Sequence, residues 1–482
     1  MIKMLKLVMF YRKFLSFFLI FFGILTPVFS EIETNSVFHT VAKNGLEIIV
    51  IENFDTPLVY IEVAFKAGGN YQTTENEGIF HLYEHMLFKG NSLYKNSAQV
   101  SDAMSKLGVS NYNGTTSSDY VNYFFKIPAS SFEKGIEFWS NAVISPLFDK
   151  EELEREKKVV ISEILDDVSN KNLKAYKTVL KSFYPKSEHK IVGGNPEKIN
   201  STTVEDLIKM QNEYYVPNNC AIFISGAVDK ELAVKTVEKY FGQWQPSQKE
   251  NVKTSIEKES RPSINDKYYL IQDSQYAATL SISYKGPNTK DSLNDTYYAD
   301  FLANLLETPN NKFVRTLKSL KADNNESAVN QINFEYLTTT DNGIINLYFN
   351  FNPKNKKLYE SIMQVINYVT LKEFSEMTKN EKYFSEYQYK TTKERLIDKQ
   401  TIENEYIDSY ISFLRFYWAV ASMDVGLSYY EKLNEISNQN IVEFCHKYFL
   451  NKNFTAILYL NDSAFSEDAK KFLNQGFKLI EE

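Results

Sequence analysis

Apolar residues recur along the chain with two periods, which predicts a mixture of strands and helices. Runs of five to eight residues that are continuously apolar, or that alternate with polar ones, are typical of strands. Longer stretches with an apolar residue every three or four positions are typical of helices. In the first half, strands are predicted at 37–41, 46–51, 59–65, 120–127 and 221–225. Helices are predicted around 77–90 and at 97–107, 131–144, 150–168, 171–183, 203–214 and 230–241.

A polar segment in the middle of the chain separates two halves. Residues 246–266 contain Pro246 and Pro262 and lack apolar periodicity, which is typical of a linker. A chain of 482 residues is long enough for more than one domain, each with its own core. We therefore expect an N-terminal domain at 31–245 and a C-terminal domain at 267–482.

The predicted elements of the second half repeat the order of the first. A strand at 278–284, a strand at 344–351 and a helix at 356–369 follow their counterparts by 219, 224 and 225 residues. A further helix is predicted at 291–306. A repeat of this length is far too long for a solenoid and indicates a duplicated domain. The expected fold class is α+β, with two similar α/β-sandwich domains joined by the linker.

The first 30 residues are typical of an export signal. Four basic residues precede an apolar run at 14–25, and Pro27 and the small residue Ser30 follow it. This order predicts a secretory signal peptide that is cleaved after Ser30. The run is short for a membrane span, and an uncleaved anchor is the alternative. We therefore expect a bacterial periplasmic protein with no stable membrane span after signal cleavage.

The charge balance argues against nucleic acid as a partner. The formal net charge is -7, and it becomes -11 without the four basic residues of the predicted signal. An acidic protein without basic clusters is a poor nucleic-acid binder. The chain has only two cysteines, Cys220 and Cys445, so disulfides do not hold an exported protein of this size together. Whether they pair or stay buried as free thiols is open at this stage.

Candidate chemistry centres on the segment His81-Leu82-Tyr83-Glu84-His85. In a helix, His81 and His85 stand four residues apart on one face, where two imidazole nitrogens can bind one tetrahedral metal ion. Zinc suits neutral imidazole, and a third protein ligand would leave one position for water. Glu84 shares that face and is placed to act as the base for that water. The alternative is a helix that carries two surface histidines.

A second helix supplies carboxylates for the same site. Glu156 and Glu163 lie seven residues apart, which is two helical turns, so they project from one face. One carboxylate can bind the metal while the other orients a ligand histidine. A helix rich in Glu and Lys is otherwise typical of a solvated surface, and periodicity alone favours that alternative.

Four motifs occur along the chain in a recognisable order and spacing. They are His81-x-x-Glu84-His85, Asn113-Gly114-x-Thr116-x-x-Asp119, Arg155-Glu156-Lys157-Lys158-Val159-Val160-x-x-Glu163-Ile164 and Tyr214-Tyr215-x-Pro217-Asn218-Asn219. Together they resemble the motifs of the pitrilysin/insulinase family of zinc peptidases, the inverzincins. The resemblance covers essentially the whole chain after the signal. It is to the short, two-domain bacterial members that work with a partner subunit.

The resemblance implies a role for each matching residue. It implies His81, His85 and Glu163 as ligands of one zinc ion, Glu84 as the general base and Glu156 as a support for the ligands. It also implies a pair of similar domains that close like a clam shell around a chamber. Asn113 and Gly114 match the family's edge strand, beside which an extended peptide substrate would add as a further strand. Without the other motifs, Asn113-Gly114 would be a plain turn.

The chain departs from the family in one segment of the second domain. Active single-chain relatives carry an Arg and a Tyr there that are thought to hold the peptide and stabilise the oxyanion, and here Lys318 and Asn325 stand in their places. Loss of such donors commonly costs a factor of about 100 to 1000 in rate. Either a sister subunit supplies the Arg/Tyr pair or the chain is a weak peptidase.

These observations lead to an expected function and one alternative. The expected function is a zinc-dependent endopeptidase that cleaves peptides or unfolded protein segments in the periplasm, as the catalytic subunit of a heterodimer. The alternative is a non-catalytic peptide-binding or scaffold subunit of a related assembly. The complete set His81, Glu84, His85 and Glu163 argues against the alternative, because a scaffold has no need of four converging metal-site groups.

Overall fold

The structure is a computed structural model. It describes residues 37–168, 170–247, 267–272, 278–308, 311–321, 325–352, 355 and 357–480. The predicted signal peptide and nearly all of the predicted linker lie outside the described residues. The domain boundaries that depend on them therefore stay predictions.

The strands of the described residues form two six-stranded sheets. The strands of the first sheet are β1 (Phe38–Val41), β2 (Glu47–Glu52), β3 (Leu58–Phe65), β4 (Asn111–Thr116), β5 (Val121–Pro128) and β6 (Cys220–Gly226). The strands of the second sheet are β7 (Lys267–Gln272), β8 (Ala278–Lys285), β9 (Val329–Tyr336), β10 (Ile344–Phe351), β11 (Phe454–Leu460) and β12 (Lys478–Leu479).

Helices surround both sheets. The first half contains α1 (Ile79–Leu87), α2 (Ser97–Leu107), α3 (Phe132–Ile144), α4 (Lys150–Val168), α5 (Lys171–Phe183), α6 (Pro196–Ser201), α7 (Val204–Tyr214) and α8 (Lys230–Phe241). The second half contains α9 (Thr289–Leu306), α10 (Lys312–Ser319), α11 (Leu358–Asn367), α12 (Phe374–Met377), α13 (Glu386–Glu405), α14 (Ile407–Val420), α15 (Met423–Asn434), α16 (Asn438–Tyr448) and α17 (Asp462–Asn474). A π-helical segment, Tyr368–Glu373, joins α11 to α12.

Five strands of each sheet share one order and direction, which confirms the predicted α+β fold with a duplicated domain. The sixth strand differs, because β1 pairs antiparallel with β2 whereas β12 pairs parallel with β7. The first sheet has the order β1-β2-β6-β3-β5-β4 and the second has the order β12-β7-β11-β8-β10-β9. β2 pairs parallel with β6, as β7 does with β11, and the following three pairings are antiparallel in both sheets. β4 and β9 therefore occupy equivalent edges.

Each sheet buries one face against helices of its own half. In β3, alternate residues from Val59 to Phe65 enter the first core, which also contains Trp139 of α3. In β10, alternate residues from Ile345 to Phe351 enter the second core with residues of α9 and α16. The period of two in a strand produces this division, because successive side chains point to opposite faces. The two cysteines are free thiols, Cys220 buried in the first core and Cys445 in the second.

The other face of each sheet is covered by a helix of the opposite half. Helix α14 packs against β3 and β6 of the first sheet, where the Trp418 ring meets Phe223 edge to face. Helix α5 packs against the second sheet, where Val179 and Ile457 belong to one apolar cluster. The halves thus exchange one helix each.

Most elements predicted from the apolar pattern are confirmed within two or three residues of their ends. The helix predicted around 77–90 is shorter, because Gly78 adopts a φ of 85° directly before it and α1 ends at Leu87. The pattern missed β4, whose sequence Asn-Tyr-Asn-Gly-Thr-Thr has no buried residue. It also missed β7, β9, β11 and the helices beyond residue 385.

Candidate metal centre and active site

Helix α1 presents three polar side chains on one face because its other face is buried. Its buried residues are Ile79, Phe80, Leu82, Tyr83, Met86 and Leu87. His81, Glu84 and His85 are left partly exposed, as the helical period predicts. The tyrosines of the motif at 214–219 support the buried face, since the Tyr215 ring stacks on Tyr83 at 3.8 Å and Tyr214 meets Phe80 edge to face.

Ligand atoms of His81, His85 and Glu163 converge at the outer face of α1. Oε2 of Glu163, on α4, lies 3.4 Å from Nε2 of His81 and 3.6 Å from Nε2 of His85. All three ligand atoms lie within 4.8 Å of one another. Two ligands of a tetrahedral zinc ion at bond lengths of about 2.1 Å stand about 3.4 Å apart. Both the spacing and the two-nitrogen, one-oxygen donor set therefore fit zinc.

Glu156 connects His85 to Lys89. Oε2 of Glu156 lies 3.1 Å from Nδ1 of His85, and Oε1 lies 2.6 Å from Nζ of Lys89. Glu156 itself is 7% exposed. A carboxylate in this position accepts a hydrogen bond from Nδ1–H of the imidazole. The Nε2 lone pair is then directed at the metal position. The contact supports the role that the family resemblance implies for Glu156, and Lys89 balances its charge.

Glu84 lies beside the ligand cluster without belonging to it. Its Oε2 accepts a hydrogen bond of 2.6 Å from Oγ1 of Thr116. Burial raises the pKa of the Glu84 carboxyl, against the opposing effects of the Thr116 hydrogen bond and of His85. Glu84 is therefore a stronger base than a solvated carboxylate.

Strand β4 brings Asn113 and Gly114 to the edge of the first sheet. They lie within the strand, so a plain turn at these residues is wrong. Among the described residues β4 pairs with β5 alone, which leaves its outer edge available to an added strand. Gly114 faces Glu84, and a Cβ atom at this position would lie 3.0 Å from Cγ of Glu84. Substrate binding by the two residues stays a prediction.

Lys318 and Asn325 lie in the second half, around the end of α10. Lys318 is exposed in the last turn of that helix, and Asn325 is exposed with a φ of 65°. A second acidic group, Glu52, Asp229 and Glu231, is largely exposed, and Glu52 already accepts a hydrogen bond from the backbone N of Lys230.

Comparison with known proteins identifies the family. The model of the insulinase peptidases, peptidase family M16, matches residues 47–191, and the model of the M16 inactive domain matches residues 201–401. The chain belongs to the M16 (insulinase) peptidase family. The insulinase match contains His81, Glu84, His85, Glu156 and Glu163, whereas the inactive-domain match begins after them.

Relatives of this M16 chain are named as zinc proteases. It is 26% identical over 253 residues to the uncharacterized zinc protease YmxG of Bacillus subtilis, an alignment that covers 51% of this chain and 58% of that protein. It is 24% identical over 268 residues to the zinc protease PqqE of Helicobacter pylori, with 55% and 59% covered. The alignments thus span little more than half the length of these relatives.

Solved structures share the fold of this M16 chain. A protease from Helicobacter pylori matches with a TM-score of 0.70 and 17% identity over 88% of this chain and 99% of that one. The first half of the periplasmic protease PqqL from Escherichia coli matches with a TM-score of 0.70 and 14% identity over 92% and 98%. At such identities the likeness is one of fold.

Across the described part of the chain, no helix is both long and apolar enough to span a membrane.

Sequence reasoning named the ligand set but missed two contacts around it. Lys89 follows the first quoted motif and Thr116 lies within the second, yet their bonds to Glu156 and Glu84 were not predicted. Lys89 is four residues beyond His85, which places it above the same face of α1 and could have suggested a contact. For Thr116, no spacing along the chain indicates that β4 lies over α1.

Proposed function

We propose that the chain is a zinc-dependent endopeptidase that hydrolyses peptides or unfolded protein segments. The observation that carries the proposal is the convergence of His81, His85 and Glu163 next to Glu84. A zinc ion held by the two histidines and Glu163 would polarise a peptide carbonyl and acidify a water molecule. The names of the relatives as zinc proteases support the same chemistry.

Glu84 would move the proton in this reaction. Its carboxylate takes a proton from the water that attacks the carbonyl carbon, and then donates that proton to the amide nitrogen that leaves. The raised pKa of Glu84 favours the first transfer, because a stronger base accepts a proton more readily. The protonated carboxyl remains acidic enough to donate to an amine. Glu156 meanwhile keeps His85 oriented through Nδ1.

The edge of β4 would bind the substrate as an added strand. Main-chain hydrogen bonds to an extended peptide give affinity with little demand on its sequence. Asn113 and Gly114 would then lie beside the scissile bond, since Gly114 faces Glu84. This geometry favours unfolded segments, because a folded protein has few free extended strands to offer.

A sister subunit would complete the oxyanion site. Lys318 and Asn325 stand where active single-chain relatives carry the Arg and the Tyr. We therefore propose a heterodimer in which this chain holds zinc and a partner of the same fold supplies the Arg/Tyr pair. The proposed location is the periplasm, which the signal-like first 30 residues support.

The proposal is tested by hydrolysis of a quenched fluorescent peptide library by the purified full chain with zinc. Wild type is compared with Glu84→Gln, which keeps the shape of the side chain and removes the base. Glu205→Gln, an exposed carboxylate in the first turn of α7, is the matched control. We expect Glu84→Gln to lose at least 100-fold in rate with zinc content unchanged.

Two outcomes would contradict parts of the proposal. Zinc binding without hydrolysis, both alone and with an Arg/Tyr-bearing partner, would favour the peptide-binding scaffold. Hydrolysis by the chain alone that equals hydrolysis with the partner would contradict the heterodimer but not the peptidase.

A further inference from the structure

We infer that Thr116 is a positioning residue that fixes the carboxylate of the catalytic base Glu84. The inference rests on the proposed peptidase function. The hydrogen bond between the two side chains joins a helix to a strand. Glu84 lies on α1, and Thr116 is the last residue of β4, 32 residues further along the chain.

The hydroxyl of Thr116 is committed to one oxygen of Glu84. Oγ1 of Thr116 lies 2.6 Å from Oε2 of Glu84 and 3.5 Å from the carbonyl oxygen of Phe80. A hydroxyl has one proton to donate, and a hydrogen bond to a carboxylate is the stronger choice. The bond therefore restricts the orientation of the Glu84 carboxylate.

Gly114 contacts the same carboxylate from the same strand. A Cβ atom there would lie 3.0 Å from Cγ and 3.2 Å from Oε1 of Glu84. Alternate residues of β4 thus enclose the Glu84 side chain, Gly114 by leaving room for it and Thr116 by binding it. A carboxylate on a flexible side chain would otherwise sample several rotamers.

The turn that follows Thr116 is anchored on two sides, so the hydroxyl has a fixed position. The backbone N of Gly69 donates to the carbonyl oxygen of Ser117 at 3.0 Å. The carboxylate of Asp119, 4% exposed, accepts 2.8 Å from Nδ2 of Asn70 and 3.0 Å from Oγ1 of Thr339. Thr339 belongs to the second half, which therefore helps to hold the strand that holds Glu84.

Three variants of the full chain test the inference by peptide hydrolysis with zinc. Thr116→Val removes the hydroxyl at equal size, Thr116→Ser keeps it, and Thr401→Val makes the same change at an exposed threonine of α13, outside the proposed site. Misplacement of a catalytic group by about 1 Å costs on the order of 100-fold in rate. We expect Thr116→Val to lower kcat about 10- to 100-fold with KM within about 2-fold.

Rescue and metal content separate positioning from a structural defect. Thr116→Ser should keep kcat within about 3-fold of wild type, and Thr401→Val should match wild type. Zinc content and the unfolding midpoint should be the same in all four proteins. Equal kcat in Thr116→Val and Thr401→Val would overturn the inference, as would a loss in Thr116→Ser as large as that in Thr116→Val.

The two proposals fail in different ways. Hydrolysis by wild type that Glu84→Gln abolishes, with Thr116→Val as active as wild type, overturns the positioning role alone. Absence of zinc-dependent hydrolysis, with and without the partner, overturns the peptidase function and the role of Thr116 with it.

Discussion

The two sheets share the order and direction of five strands but differ on the face that the opposite half covers. In the first sheet, Glu62 of β3 is fully buried and binds Arg415 of α14, with Nη1 of Arg415 3.0 Å from Oε1 of Glu62. In the second sheet, Ser281 of β8 occupies the equivalent position. Between α5 and this sheet lies a cavity of about 340 Å³, lined in part by Ser281, Asn346 and Tyr348.

Side-chain size explains the difference. Glu62 is opposite Phe124 across the pair β3 and β5, and Ser281 is opposite Tyr348 across β8 and β10. In the first sheet the guanidinium of Arg415 fills the space, since it also lies over the Tyr120 ring at 4.6 Å. In the second, short hydroxyl and amide side chains leave the space open. The covered face of the first sheet, in the half that holds the candidate metal ligands, is thus packed more tightly than that of the second sheet.

The helices that follow β3 and β8 also differ in the polar side chains that they carry. Helix α1 carries the ligand histidines and Glu84, whereas α9 carries Asp300, whose Oδ2 accepts 2.7 Å from the hydroxyl of Tyr429. Burial raises the pKa of Asp300 to about 7, although hydrogen bonds from Tyr429 and Thr338 oppose the change. Among the described residues, the two halves thus share the framework, whereas both clusters of candidate metal ligands lie in the first half.

The largest expected effect comes from breaking the ion pair between Glu62 and Arg415, which joins the first sheet to α14. Arg415→Met should lower the free energy of unfolding by about 3–5 kcal/mol, because it leaves the buried Glu62 charge unpaired. Chemical denaturation of the full chain measures the change. Glu62→Leu combined with Arg415→Met is the control and should lose less, since it removes both charges. Equal losses of stability in the single and double variants would contradict this account of the ion pair.

The second half should show its own pH dependence through Asp300. Its folded pKa lies above the unfolded value, so folding takes up a proton between about pH 4 and 7 and stability falls as pH rises through that window. The loss is on the order of 3–4 kcal/mol at about 1.4 kcal/mol per unit. Asp300→Asn should remove this slope in denaturation midpoints measured from pH 4 to 7. An unchanged slope in the variant would assign the effect to other groups.

A smaller effect, on zinc affinity, is expected from changing Lys89, which contacts Glu156 rather than a candidate metal ligand. Lys89→Met should weaken zinc binding roughly 10-fold, at the low end of the losses seen when partners of metal ligands are changed. Competition with a zinc chelator measures the affinity. Lys89→Arg keeps the charge beside Glu156 and should bind zinc nearly as well as wild type. Equal affinity in Lys89→Met and wild type would show that Glu156 needs no cation.

Much of the fold and the shared face of the histidine pair could be predicted because both are recorded in local spacing, whereas Glu163 as the third ligand was implied by the resemblance to the zinc peptidase family. His81 and His85 share a helical face by their separation of four, and Glu156 and Glu163 do so by seven. The repeat was visible because strand and helix patterns recur at nearly constant offsets. These predictions need no knowledge of which elements touch.

Contacts between distant elements could not be predicted in this way. Glu62 and Arg415 are 353 residues apart, and nothing in either segment shows that α14 crosses the first sheet. The edge strand β4 was missed as a pattern because its exposed polar residues lack the alternation that burial on one face produces. The cavity beside Ser281 depends on how α5 sits on the second sheet, which only the packed structure specifies.

The central claim, that the first half alone holds the metal, is tested most directly by a crystal structure of the full chain grown with zinc. The account predicts one strong anomalous peak at about 2.0–2.2 Å from Nε2 of His81, Nε2 of His85 and Oε2 of Glu163. The same peak should be lost or much weakened in Glu163→Gln. A peak at Glu52, Asp229 and Glu231 instead, with none at the two histidines, would contradict it.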